Sequence, residues 1–112
     1  MGGGWTTSEA MEAVRTTEII KQVASLFGVT AEEVMSRRRT QGLADCRTVI
    51  SYVLCADYGL GFSQVGRILK RTHANVMYHV VKGGYWLETP SINLRGCSAI
   101  LEMQLRHQRE SA

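Results

Sequence analysis

Residues 63–82 read SQVGRILKRTHANVMYHVVK, and two hydroxyl residues divide the stretch into two helices. Ser63 is placed to cap a short helix carrying Val65, Gly66, Ile68 and Leu69, and Thr72 to cap a second that runs to about Lys82. Such side chains start helices because their oxygen accepts a backbone N–H left unpaired in the first turn. Lys70 and Arg71 form the tight basic turn between them. Two short helices joined in this way predict a helix-turn-helix, whose second helix can enter the major groove of a duplex.

The second helix is expected to divide its faces. At 100° per residue, Val76, Met77, Val80 and Val81 fall within about 140° and are predicted to face the core, leaving Asn75, Tyr78, His79 and Lys82 outward. Thr72, His73, Ala74 and Asn75 are the candidate base readers. Asn75 has the best chemistry, since its amide can pair with both major-groove groups of adenine, while Ala74 can touch a thymine methyl. Each has a plainer alternative: His73 as a brace of the helix, Asn75 as a solvated surface group, Tyr78 as packing, Lys70 and Arg71 as a solvated turn.

Working outward, Met11, Val14, Ile20, Val23 and Phe27 recur at helical spacing from about Ser8, and Gly28 stops that helix. Thr30 and Glu33 have capping-box spacing ahead of a short helix with Val34 and Met35. The apolar-free run 36–42 exposes Arg37, Arg38 and Arg39 as a basic loop. A third helix from about Ala44 to Tyr58, apolar around much of its circumference, is expected at the centre. Gly83 and Gly84 are expected to close the helix-turn-helix unit, and Leu94, Cys97, Leu101 and Leu105 mark a last helix to about Gln108. No strand candidate competes. The prediction is an all-α fold, a compact bundle of about six helices. Its expected divisions are a flexible N-terminus at 1–7, a helix-turn-helix domain at 8–84, and a helical extension at 85–112 packing on the same domain.

The 112 residues are 45% hydrophobic and 21% charged with a single Pro, a composition that excludes disordered, collagenous and disulfide-scaffold chains. No apolar run reaches the roughly 20 residues of a membrane span, and no secretion signal is evident, so a cytoplasmic location is expected. Cys46, Cys55 and Cys97 have no C-x-x-C spacing and read as core thiols. His73 and His79, six apart, lack a metal-ligand partner, and no phosphate loop or nucleophile motif occurs. No enzymatic activity, cofactor, metal or small-molecule substrate is therefore expected. The net charge of +3 is uneven: residues 37–82 hold eight Lys and Arg against two Asp, a local +6, whereas residues 1–36 are net −3. A one-sided cationic stretch points to a polyanion, nucleic acid above all.

The order of these pieces resembles the C-terminal DNA-binding domain of the bacterial replication initiator DnaA, a helical domain related in fold to the Trp repressor, over about Glu18 to Lys82. Val23-Ala24, Phe27, Val29 and the Arg37–Arg39 loop are similar to that family's opening. Val65-Gly66 is similar to its Ile-Gly, and Lys70-Arg71-Thr72-His73-Ala74-Asn75-Val76 resembles its signature Gly-Gly-Arg-Asp-His-Ser/Thr-Thr-Val. The turn here is one residue shorter, Thr72 stands for the aspartate, and Ala74 and Asn75 stand for two hydroxyl residues. The resemblance implies that His73 contacts the major groove, Arg38 or Arg39 the minor groove, and Arg47 lies near the phosphates. It also implies a role at replication origins, with the family's ATPase domain expected to be absent from this chain.

The resulting expectation is a non-enzymatic, sequence-preferring partner of double-stranded DNA. Thr72, His73, Ala74 and Asn75 would read bases, and Arg37, Arg38, Arg39, Arg47, Ser63, Lys70, Arg71 and Tyr78 would hold the backbone or minor groove. A homodimer through the last helix is a further expectation. The rival reading is a protein-interaction adaptor, such as a prophage or accessory factor, that keeps the fold. RNA binding ranks last, because only Tyr78 and Tyr85 are near the basic segment to stack on bases.

Overall fold

The computed structural model describes residues 6–111, with the expected flexible start otherwise outside that range. Six α-helices follow one another: α1 (Thr7–Leu26), α2 (Ala31–Met35), α3 (Gln41–Tyr52), α4 (Phe62–Leu69), α5 (His73–Glu88) and α6 (Leu94–Ser111). A π-helical turn, Val53–Asp57, extends α3, and a 3-10 turn, Pro90–Ile92, precedes α6. No strand occurs among the described residues, so the fold is the all-helical bundle expected.

Local chemistry explains most of the boundaries. Thr6 and Glu9 form a capping box that starts α1, so Thr6 and Thr7 belong to the helix and not to a flexible lead. At its other end the Gly28 N–H donates to the Ser25 carbonyl oxygen and the Val29 N–H to that of Ala24, with Gly28 at φ +69°. This paired arrangement satisfies the last carbonyls at a position glycine adopts without Cβ strain. Thr30 and Glu33 form the predicted capping box of α2. The third helix starts earlier than predicted, because the Thr40 hydroxyl accepts the Leu43 N–H and so draws Gln41 and Gly42 into α3.

The centre of the molecule is α3, which packs on α1, α5 and α6 and contributes Leu43, Cys46, Val49 and Ile50 to the core. Only the second half of α1 joins it, through Ile19, Ile20, Val23 and Ala24; Met11 and Val14, predicted to be apolar-face residues, are exposed. The largest departure concerns α5. Gly83 and Gly84 do not end it; the helix continues to Glu88. A Cβ on Gly83 would lie 2.9 Å from the Tyr52 Cβ, so this glycine allows α5 to cross close over α3. Three residues further along α5, Trp86 is buried against Gly96 of α6, where any side chain would meet the indole. Gly96 and Trp86 thus lock the last helix onto the bundle.

Candidate nucleic-acid interface

The turn between α4 and α5 is built by two backbone constraints. Gly66 is buried in α4, and a Cβ there would stand 2.7 Å from the Arg71 carbonyl oxygen, while the Arg71 N–H donates to the Gly66 carbonyl oxygen at 2.8 Å. A side chain at Gly66 would therefore push the two helices apart. Lys70 closes α4 in the left-handed conformation, φ 57° and ψ 46°, which costs a non-glycine residue roughly 1–2 kcal/mol. The helix α4 itself begins with Gly61 as its cap and not with Ser63. Phe62, the first residue of the helix, is partly buried and meets the His73 ring edge-on at 5.5 Å. Ser63 remains exposed in the first turn.

Thr72 caps α5 as predicted, its hydroxyl oxygen accepting the Asn75 N–H at 3.1 Å. His73 and Ala74 are exposed at the tip. Asn75 is only half exposed, and its Oδ1 is covered and lacks a hydrogen-bond partner; pairing with adenine requires the amide to turn outward. The inner face of α5 differs from the predicted one. It consists of Val76, His79, Gly83 and Trp86, with Val80 partly buried beside them. Met77 is 39% exposed, Tyr78 58% and Val81 66%, whereas His79, predicted to point outward, is 7% exposed.

His79 is held by Thr48 of α3, with Nδ1 2.6 Å from Oγ1. The Thr48 hydroxyl also donates to the Ala44 carbonyl oxygen at 3.1 Å; when its one proton is used there, the His79 Nδ1–H donates to Thr48. Burial first, and then the positive charges of Lys82, Arg47 and Arg71 against the opposing Asp45, push the imidazole down to about 4. His79 is therefore neutral at physiological pH and joins α5 to α3. Burial likewise pushes the Cys46 thiol up to about 12, in keeping with a core role.

The basic loop is fixed by an arginine that the sequence reading had assigned to phosphates. Arg47 is 4% exposed. Its Nε donates to the Val34 carbonyl oxygen at 2.9 Å, Nη1 to that of Arg38 at 2.8 Å, and Nη2 to those of Ser36 at 2.8 Å and Glu33 at 3.3 Å. Direct phosphate contact by Arg47 is thus corrected: the side chain is buried, and four of its five N–H donors go to the carbonyls that end α2 and begin the loop. A buried cation is tolerated where its donors are satisfied in this way. Burial and then the nearby Arg71 charge hold the guanidinium below its ordinary value.

Arg71 supplies the link between loop and turn. Its Nη2 donates to the same Ser36 carbonyl oxygen at 2.6 Å, so one oxygen is shared by a guanidinium from α3 and one from the residue before the α5 cap. Lys70 lines a hollow with Met35 and Ser36. The loop and the tip of α5 consequently adjoin. Arg37, Arg38 and Arg39 extend from the loop into solvent; Arg38 pairs with Glu33 at 3.3 Å across an exposed contact, while Arg37 and Arg39 make no ion pair among the described residues. At the other end of the exposed face, Lys82 Nζ lies 5.5 Å from the Tyr78 ring centre and 5.7 Å from that of Trp86. The hollow of about 510 Å³ between α1, α2 and α4 is lined by Glu9 and Glu12 as well as Arg67, and lacks the one-sided positive charge of the loop and turn.

A helix-turn-helix domain with a basic loop bonded to its turn is the class that this geometry defines. Residues 16–82 match the bacterial DnaA protein helix-turn-helix family, and the chain belongs to that family. It is 33% identical over 73 residues to the chromosomal replication initiator protein DnaA of Mycoplasma genitalium, and 33% identical over 70 residues to that of Mycoplasma pneumoniae. These alignments cover 65% and 62% of this chain but 17% and 16% of the relatives. Among the described residues no helix is long and apolar enough to cross a membrane.

Proposed function

We propose that this domain binds double-stranded DNA with a preference for sequence, with the tip of α5 in the major groove and the Arg37–Arg39 loop on the adjoining backbone or minor groove. The observation that carries the reading is the Ser36 carbonyl oxygen shared by Arg47 and Arg71, which sets loop and turn side by side as one cationic ridge. Thr72, His73 and Ala74, together with Asn75 once its amide turns outward, supply sequence preference. Arg37, Arg38, Arg39, Ser63, Lys70, Arg71 and Tyr78 supply position and affinity, because phosphate contacts fix register without reading sequence. The family supports a place in replication initiation, in the cytoplasm at the nucleoid. The matched family is a helix-turn-helix, which supports binding as the activity of this stretch.

Titration of labelled duplexes at several salt concentrations tests the reading. Neutralising about five phosphates gives a slope of log affinity against log salt near −4.5, from roughly −0.9 per contact; a flat response defeats the proposal. Arg39→Ala should reduce the slope by about 0.9. Arg47→Met should weaken binding and also lower the slope, because that arginine, without touching phosphate, fixes the loop that carries Arg37, Arg38 and Arg39.

Self-association through α6 is a second reading, favoured by Leu94, Leu101 and Leu105, which lie exposed along it, while Cys97, expected in the same seam, is buried in the core. Sedimentation of the protein alone checks it: a concentration-dependent shift to twice the monomer mass is expected, and a monomer at every concentration excludes it.

A further inference from the structure

The outward face of α5 is apolar where a groove-entering helix would ordinarily be polar. Ala74 is three and four residues from Met77 and Tyr78, and these are four and three from Val81; all four are exposed. They form a strip over eight residues, about 10 Å from first to last at 1.5 Å rise per residue. At about 3.4 Å per base pair, that length covers roughly three steps of a duplex. The strip is framed by cations: Lys70 and Arg71 before the helix, Lys82 at its far end, and the Arg37–Arg39 loop, which Arg71 binds at Ser36. Cations around an apolar strip fit a polyanion that itself presents apolar groups between its charges. In the major groove of B-DNA the C5-methyl of thymine is that group; the other edges are hydrogen-bond donors and acceptors.

We propose that Ala74, Met77 and Val81 read thymine methyl groups, so that A·T pairs are selected through apolar contact along α5. The inference rests on the DNA-binding reading above and specifies the chemistry by which it discriminates. Met77 and Val81 are then specificity-determining residues beyond the helix tip. Tyr78 completes the strip, its ring centre 5.5 Å from Lys82 Nζ.

The test uses the full chain and a duplex selected from a random pool, together with the same duplex made with deoxyuridine in place of thymine. The substitution removes only the methyl groups and keeps every hydrogen-bonding edge. Loss of binding by about fourfold for each contacted methyl is expected, the size associated with returning one such group to water. Val81→Thr and Met77→Gln, both at exposed positions where folding is insensitive to the change, should bind the thymine duplex more weakly and show a smaller penalty on going to deoxyuridine. Equal affinity for the thymine and deoxyuridine duplexes overturns the inference while leaving DNA binding intact. An undiminished deoxyuridine penalty in both variants also overturns it, since the methyls would then be read elsewhere. Failure to bind any duplex at low salt overturns the DNA-binding reading itself.

Discussion

The two faces of α5 reverse the usual distribution of chemistry along an amphipathic helix. The inner face buries an imidazole, His79, between Val76 and Gly83, while the outer face exposes Met77, Tyr78 and Val81. The inner polar group is tolerated because it is neutral and bonded to Thr48. Of the outer apolar groups, Met77 and Val81 are the ones that the proposed thymine contacts would cover. Burial is concentrated on one side of the helix and exposure on the other, so substitutions on the two sides should separate cleanly in experiment.

Neighbouring aromatic residues give the largest contrast. Trp86 fills the space left by Gly96, and Trp86→Ala should destabilise the fold by about 3–5 kcal/mol, the range for a large buried aromatic. Tyr85 is exposed, and Tyr85→Ala should stay within about 0.5 kcal/mol. Urea midpoints of the two variants measure the difference; similar midpoints would mean that α6 is not locked by the indole.

Acidification probes the inner face next. Unfolded His79 binds its proton near 6.5 and the folded residue near 4, so between these values the unfolded state holds the extra proton. Its contribution is complete above about 6.5, declines as pH falls, and levels off below about 4. The total is about 3 kcal/mol, from roughly 1.4 kcal/mol per unit. Carboxylates titrate over part of this range, so the informative quantity is the difference between the natural protein and His79→Gln. The variant should lose less stability between pH 7 and 4.5, and parallel curves would assign the acid sensitivity elsewhere.

How far the sequence foretold this arrangement depended on whether the deciding interaction was local. The capping box at Thr30 and Glu33, the Gly28 stop and the Thr72 cap were legible, since each joins residues within a few positions of one another. The face of α5 was not, because it is set by crossings over Tyr52 and Gly96, and Gly83 was read as a terminator. With the helix carried on to Glu88, the spacing of Val76, His79, Gly83 and Trp86 shows the stripe, and Met77 and Val81 leave it. The inward turn of Arg47 was equally hidden. A hint lay in its place between Cys46 and Thr48 in the central helix, but its carbonyl partners lie in α2 and the loop after it, which no periodicity connects to Arg47. The base-reading and backbone assignments at Thr72–Asn75, Arg37–Arg39 and Ser63 rest on charge, helix position and resemblance.

Asn75 lies on the border between the two faces and should respond with opposite signs in two assays. In the free protein its Oδ1 is covered without a partner, an arrangement that costs about 1–3 kcal/mol relative to a satisfied acceptor. Asn75→Ala removes that group and should leave stability unchanged or slightly raised. On DNA the same change should cost about 1–3 kcal/mol at the preferred site and little on random duplex, since an outward-turned amide would gain a base. Equal losses on all sequences would place Asn75 among the backbone contacts.

The smallest expected effect tests whether the turn serves stability and binding at once. Lys70 occupies a left-handed position that glycine adopts freely, so Lys70→Gly should relieve about 1 kcal/mol of steric cost, partly offset by the greater freedom glycine gives the unfolded chain. The melting temperature should rise by a few degrees. The same change deletes a cation beside Ser36, at the junction of loop and helix tip. If that cation meets a phosphate, the salt slope falls by about 0.9 and affinity weakens on every sequence alike. A more stable protein that binds DNA less well would mean that strain at this position is retained for its charge. A more stable protein with undiminished binding would move the phosphate path away from the turn and leave the arginine loop as its anchor.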